Sequence, residues 1–234
     1  MVEVLAHRGA SRAARENTIE AFLLAGTMGS NGVELDVRRT ADGALVVHHN
    51  PELADRRVIA ALRADEMPGH VPQLHAALDA CSGMWVNVEI KNDPQEPDFD
   101  PTDSIADRTM AALAERGEDD RWLVSSFRLE TIDRCKALEG GIRTAWLVDT
   151  VPDDVIATMV GHGHEALHPW VTMLRRSHID ACHGAGIEVN TWTCDDPRRM
   201  LELIEWGIDG ICTNVPDVAL DVIAGRFPPQ AGDG

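Results

Sequence analysis

At 234 residues, with 44% hydrophobic and 26% charged content, the chain has the material for one large α/β domain and is too apolar to be disordered in bulk. Its 39 acidic against 21 basic residues give a formal net charge of -18, which repels nucleic acid and anionic membrane at long range. Only a local cluster of cations could hold an anion here. Five cysteines (Cys81, Cys135, Cys182, Cys194 and Cys212) are widely spread with no CxxC pair, which fits free packed thiols in a reducing compartment and not a cysteine metal site.

The first residues, MVEVLAHRG, lack the basic start and long apolar segment of a secretory signal, and no apolar run approaches ~18 residues. A cytoplasmic protein without stable membrane insertion is expected. Apolar or alternating runs then recur at 2–6, 32–37, 44–48, 85–90, 122–126, 143–148, 165–170, 187–193 and 208–213. Helix-like segments alternate with them at about 17–29, 72–81, 104–116, 129–138, 152–161, 174–184, 196–206 and 216–224. The closing stretch, 227–234, has paired prolines and small polar residues and reads as a flexible tail after a single domain over 1–226.

Nine strands against eight helices resolve if the second and third runs form one hairpin. Thr40-Ala41-Asp42-Gly43 is too short for a parallel crossover and carries the Asp-Gly turn signal. Eight βα units remain, which predicts an α/β fold, a (β/α)8 TIM barrel with a β-hairpin after strand two. A doubly wound open sheet is the alternative that counting does not exclude. Asn17 is placed to cap the first helix with Glu20 three residues on, Ser104 to cap the third, and Gly140, Gly141, Gly161, Gly184, Gly186 and Gly207 to stop helices.

In Val33-Glu34-Leu35-Asp36-Val37 a strand would put both carboxylates on one face, and Val86-Asn87-Val88-Glu89-Ile90-Lys91 repeats the pattern. In a barrel these polar faces point inward, so Glu34, Asp36 and Glu89 would converge. Close carboxylates repel, and a hard divalent cation with oxygen ligands, Mg2+ or Ca2+, resolves the repulsion. The competing reading is a pair of half-exposed antiparallel strands with charges facing water.

With the turn centred on Asp42-Gly43, position 44 pairs near 39 and His49 comes opposite Glu34, give or take one register step. His48 would face the other way, toward the surface. His7 stands at the C-terminal end of strand one, where barrel sites are built, and two histidines flanking a metal suit acid and base roles in a displacement. Arg8 and Lys91 beside them would counter a phosphate charge.

The stretches AHRGASRAARENTIEAF, GVELDVRRTADGALVVHHNPEL, WVNVEIK, LVSSF, HPW, VNTWTCDD and GIDGICTNVPD run in one order over nearly the whole chain. In these the chain resembles the glycerophosphodiester phosphodiesterase family, metal-dependent barrels that split glycerophosphodiesters into glycerol 3-phosphate and an alcohol. The resemblance implies that His7 and His49 are the catalytic acid and base, that Glu34, Asp36 and Glu89 bind the metal, and that Arg8 and Lys91 bind phosphate. Trp192 matches an aromatic lining the substrate pocket, with a barrel-filling core tryptophan as the other reading. Glu16 and Asn17 match a motif that supports the site from the helix start, although capping alone would account for Asn17. The implied partner is a small glycerophosphodiester or lysophospholipid-like substrate.

Three positions depart from the family pattern: His49-Asn50 where His-Asp is usual, Arg15 where proline is usual, and a short 50–72 cover segment where the family inserts a small substrate-covering domain. The short cover predicts an open site and a weakly discriminated alcohol. Two rival functions stay open at this level. One is another metal-dependent barrel enzyme on a phosphorylated substrate with Lys91 as an amine nucleophile; the other is a non-catalytic phosphodiester-binding barrel.

Overall fold

The computed structural model describes residues 1–138 and 141–227. Nine strands are β1 (Glu3–His7), β2 (Gly32–Arg39), β3 (Leu45–Val47), β4 (Trp85–Ile90), β5 (Trp122–Ser126), β6 (Arg143–Val148), β7 (Ala166–Pro169), β8 (Glu188–Thr191) and β9 (Gly210–Thr213). Among the described residues the α-helices are α1 (Ile19–Met28), α2 (Leu74–Ala80), α3 (Ser104–Ala114), α4 (Leu129–Leu138), α5 (Val155–His162), α6 (Arg176–Gly184), α7 (Pro197–Glu205) and α8 (Pro216–Ile223).

Every strand but β3 pairs in parallel with its neighbours, and β1 bonds to both β9 and β2, so the sheet closes. Closure excludes the open doubly wound sheet. The chain is an eight-stranded parallel barrel with β3 hanging antiparallel from β2. The alternation read from the sequence has its expected result: Val33, Leu35 and Val37 are fully buried in the layer between barrel and helices, packed with Phe22 and Ala25 of α1 and with Leu74 and Leu78 of α2. The second half of the barrel builds a matching layer around Leu167, Val189 and Ile211. Phe227, the first residue of the predicted tail, packs partly buried against that layer; the rest of the tail lies outside the described residues, as does Gly140.

Local details agree with the expected hairpin and differ from the sequence reading at two helix starts. The hairpin pairs Val37 with Val47 and Arg39 with Leu45, within one step of the expected register. The extra loop residue is accommodated because Thr40 closes the turn, its N–H donating to Ala44 O at 2.9 Å and its hydroxyl to Asp42 Oδ1 at 2.6 Å. The cap of α1 is Thr18, whose hydroxyl accepts from Ala21 N, and not Asn17. The residue before α3 is Asp103, while Ser104 donates to Asp100 Oδ2 instead of capping.

The 50–72 segment forms two short 3-10 turns over a small core of Leu53, Ile59, Leu62 and Val71 on Val46. It is fastened to the hairpin loop, where Ala41 N–H donates to Leu62 O at 2.7 Å and Ala64 N–H to Asp42 Oδ1 at 3.1 Å. No helix among the described residues is long and apolar enough to cross a membrane.

Candidate active site

The C-terminal strand ends bring seven of the predicted site residues together. Glu34, Asp36 and Glu89, from β2 and β4, are all buried and offer ligand oxygens within 4.8 Å of one another. The strands that carry them are parallel and interior, so the reading of solvent-facing antiparallel strands is excluded. Lys91, just past β4, sets its ammonium 2.7 Å from Glu89 Oε1 and 3.6 Å from Asp36 Oδ1. Arg8 places its Nε 3.2 Å from Asp36 Oδ2 and its other end 3.2 Å from the half-exposed Glu16.

The His-Arg-Gly triplet is explained by the turn it makes. Arg8 takes a left-handed backbone (φ 57) so that its own N–H donates to Glu34 Oε2 at 3.0 Å. Gly9 follows at φ 81, and a Cβ there would lie 2.6 Å from the Ala21 carbonyl carbon, so only glycine lets α1 dock against the turn. Asn17 is likewise left-handed (φ 55), and its side-chain amide donates to Asp36 Oδ2 at 2.7 Å. Asn17 therefore serves the carboxylate cluster directly, which corrects its reading as a helix cap.

Both histidines are held by amide oxygens. His7 Nδ1 lies 2.7 Å from Asn214 Oδ1, and the Asn214 amide donates to Asp195 Oδ2 at 2.8 Å, which fixes its orientation. His49 Nδ1 lies 3.0 Å from Asn50 Oδ1. An amide oxygen can only accept, so each ring carries its proton on Nδ1 and keeps the Nε2 lone pair free. His7 Nε2 stands 3.9 Å from Glu34 Oε2. His49 lies two residues past the end of β3, and the carboxylate acting on it is Asp36. His48 is half-buried and bonds through Nδ1 to Asn50 O at 2.8 Å, away from the cluster.

The electrostatics divide the three carboxylates. Burial, with Asp36 and Glu89 nearby, pushes Glu34 well above the ordinary carboxylate range. Burial also raises Glu89, against the pull of Lys91. Asp36 faces the same burial, but Lys91, Arg8, His49 and the Asn17 amide outweigh it and hold it at about 2. Burial lowers His7, with Arg8 adding to the effect, and burial lowers His49 to about 4, with Lys91 and Arg8 adding and Asp36 opposing.

Replacing Asn50 with aspartate puts a negative charge beside Nδ1, which stabilises the imidazolium and raises the His49 pKa. The limb of the kcat/KM profile that reports His49 should therefore move to higher pH, in a titration of rate against pH for Asn50→Asp and the parent. A limb that stays or moves down would contradict this placement of Asn50.

Whether the cluster fits a hard cation is decided by its orphaned atoms. Glu34 Oε1 and Asp36 Oδ1 are buried with no hydrogen-bond partner, the state a missing ligand contact would leave. An all-oxygen donor set of three carboxylates matches magnesium or calcium. A cavity lined by His7, Arg8, Glu34, Glu89, His168 and Trp192 opens on the cluster. A second cavity of about 200 Å³, lined by Glu89, Lys91, Glu96, Phe127 and Arg128 among others, adjoins it through Glu89. Trp192 stands between them in an edge-to-face contact with Phe127 at 5.4 Å, half-buried in the site wall and not filling the barrel core.

Three residues at the site had no role in the sequence reading. Asn214 and Asp195 lie in runs that match the family's stretches at strand ends, and that position was the available signal. Arg38, fully buried on the same face of β2 as Glu34 and Asp36, donates from Nε to His49 O at 2.8 Å and from one terminal nitrogen to Glu96 at 2.8 Å and Asp98 at 2.7 Å. It ties the backbone of His49 to the loop after β4, and the continued alternation Glu34-Asp36-Arg38 marked its face.

A relative from Caldanaerobacter subterraneus subsp. tengcongensis, a glycerophosphodiester phosphodiesterase, is 27% identical over 94% of this chain and 97% of its own length. A Bacillus altitudinis protein of the same name is 27% identical over 95% of this chain and 98% of its own. An Oleispira antarctica phosphodiesterase, solved in complex with the product sn-glycerol-3-phosphate, superposes with a TM-score of 0.84 at 25% identity, over 95% of this chain and 96% of that one. A Silicibacter pomeroyi structure shares the fold with a TM-score of 0.87 at 23% identity, over 96% and 94% of the two chains. The family model for the glycerophosphoryl diester phosphodiesterases matches residues 7–218, from the first site histidine into the last helix, and the chain belongs to that family.

Proposed function

We propose that the chain hydrolyses glycerophosphodiesters to glycerol 3-phosphate and an alcohol, with a divalent ion, Mg2+ or Ca2+, held by Glu34, Asp36 and Glu89 and proton transfers shared by His7 and His49. The observation that carries this reading is the pairing of two neutral histidines, each with Nε2 free, with buried carboxylates whose oxygens Glu34 Oε1 and Asp36 Oδ1 lack partners. When bound, the ion polarises a phosphoryl oxygen.

The protein's own groups supply the rest. Arg8 and Lys91 are partly exposed cations at the edge of the cluster and offset charge that builds on the phosphoryl oxygens. One histidine takes a proton at Nε2 from the attacking hydroxyl or water, and the other, once protonated, gives one to the leaving oxygen. Low pKa values keep both rings neutral at pH 7, ready to accept, and substrate charge near the site raises the one that must donate. Asn214 and Asn50 keep the rings from turning, and Trp192 and Phe127 wall the pocket. Glu16 holds the outer end of Arg8. Three retained carboxylates argue against a non-catalytic phosphate binder, and Lys91, ion-paired to two of them, is a poor amine nucleophile. A cytoplasmic place in lipid breakdown fits this chemistry and the five free, buried cysteines.

None of the residues lining the two cavities at the mouth comes from 50–72, which packs on the hairpin instead. This supports a site in which the alcohol side is open beyond Asn50. Glycerol 3-phosphate release from small-headgroup and lipid-bearing diesters should give kcat/KM values within about tenfold of each other, since apolar pocket differences of ~1–3 kcal/mol are what a covering wall would add. Strict selectivity for one small headgroup would sink the open-site reading, and no release from any diester would sink the function itself.

A further inference from the structure

Away from the mouth, against the outer face of β6, three donor side chains converge that the site above does not use. Asp133 on α4, His162 at the end of α5 and His164 in the connection to β7 offer donor atoms within 4.8 Å of one another. His162 Nδ1 and His164 Nε2 lie 2.8 and 3.0 Å from the same oxygen, Asp133 Oδ1. In a tetrahedral zinc site with bonds of ~2.0 Å, neighbouring ligand atoms stand about 3.3 Å apart. The cluster is thus near the spacing an ion needs.

The far side of His164 is also organised. Its Nδ1 lies 2.8 Å from Thr144 Oγ1, and that hydroxyl lies 3.2 Å from Glu165 Oε2. When the hydroxyl donates to Glu165 it accepts from His164 Nδ1–H, the tautomer in which Nε2 is a free metal-ligating atom. This leaves a lone pair on His164 Nε2 facing a carboxylate oxygen, in a side chain with 0% exposure. Two acceptors so placed are reconciled by a proton or a metal ion between them, and the nearby His162 Nδ1 supplies the third donor atom that an ion would use. A relay from ring N–H to hydroxyl to carboxylate is also how metal-bound histidines are oriented.

We propose that Asp133, His162 and His164 form a second metal site, of the zinc class, that fastens α4 to the α5–β7 connection. Two imidazoles and one carboxylate suit zinc or its first-row neighbours, whereas the three carboxylates at the mouth suit magnesium or calcium. The side chains of His162 and Asp133 are 40% and 35% exposed, which gives the ion a way in and leaves a fourth position for water.

The test is a titration of the whole chain with zinc, and with cobalt(II) as a spectroscopic probe, in excess magnesium. One tightly bound equivalent, a tetrahedral cobalt absorption and a zinc-dependent rise in Tm are expected. His162→Ala should lose all three while keeping magnesium-supported hydrolysis, and the near-isosteric Thr144→Val should weaken zinc by ~10–100-fold. No tight equivalent in the parent chain, unchanged binding in His162→Ala, or loss only in Glu34→Gln would each overturn the proposal.

Discussion

His49→Ala is expected to lower kcat by ~10²–10⁴-fold while far-UV circular dichroism and Tm stay close to those of the parent chain. The ring packs at the barrel mouth and its neighbours are polar: Nδ1 meets the Asn50 amide, and its backbone carbonyl is held by Arg38 whatever the side chain. Removing it therefore deletes a proton carrier and little packing. His7→Ala should behave alike, because Asn214, left without the ring, still bonds to Asp195 and to the Ser11 hydroxyl. Near-parental rates in either variant would refute the acid–base assignment.

The second large effect separates two carboxylates that sit two residues apart on one strand face. Asp36 is fully buried and contacts Arg8, Lys91 and Asn17, so Asp36→Ala leaves two largely buried cations short of a partner. Breaking such a network costs about 3–5 kcal/mol, and the lower end is expected here because Glu16 and Glu89 still pair the two cations. Glu34 is the opposite case. Its folded pKa lies above the unfolded value, so its carboxyl is accommodated best when protonated and loses stability as pH rises beyond the ordinary carboxylate range. In metal-free protein at pH 7, Glu34→Gln should be as stable as the parent or more so, and yet inactive. Urea unfolding in EDTA, set beside turnover with metal restored, reads both signs; equal destabilisation by the two changes would contradict the charge division described for the cluster.

Much of this molecule could be read along the chain, and the reasons are local. Strands β4, β5 and β6 begin and end where alternation and turn residues place them, and the face of β2 that carries Glu34 and Asp36 follows from a period of two. The hairpin register is legible only to within one step, because Thr40 spends its side chain on the loop, which no periodicity reports. For Asn17 the sequence offers both a cap and a support for the site, and a nearest-neighbour capping pattern does not report the bond to Asp36, which spans 19 positions. The partner that orients His7 lies 207 positions away at Asn214, and the cation that anchors His49 reaches Glu96 across 58. Barrel closure brings Asn214 to His7 and the packing of adjacent βα units makes the other two contacts, and single-strand patterns do not name these partners.

The measurement that bears most directly on the account is release of glycerol 3-phosphate from a glycerophosphodiester with and without EDTA, with magnesium or calcium then added back. The buried, orphaned oxygens of Glu34 and Asp36 predict activity that EDTA abolishes and one of the two ions restores. Hydrolysis at an undiminished rate in EDTA would contradict it.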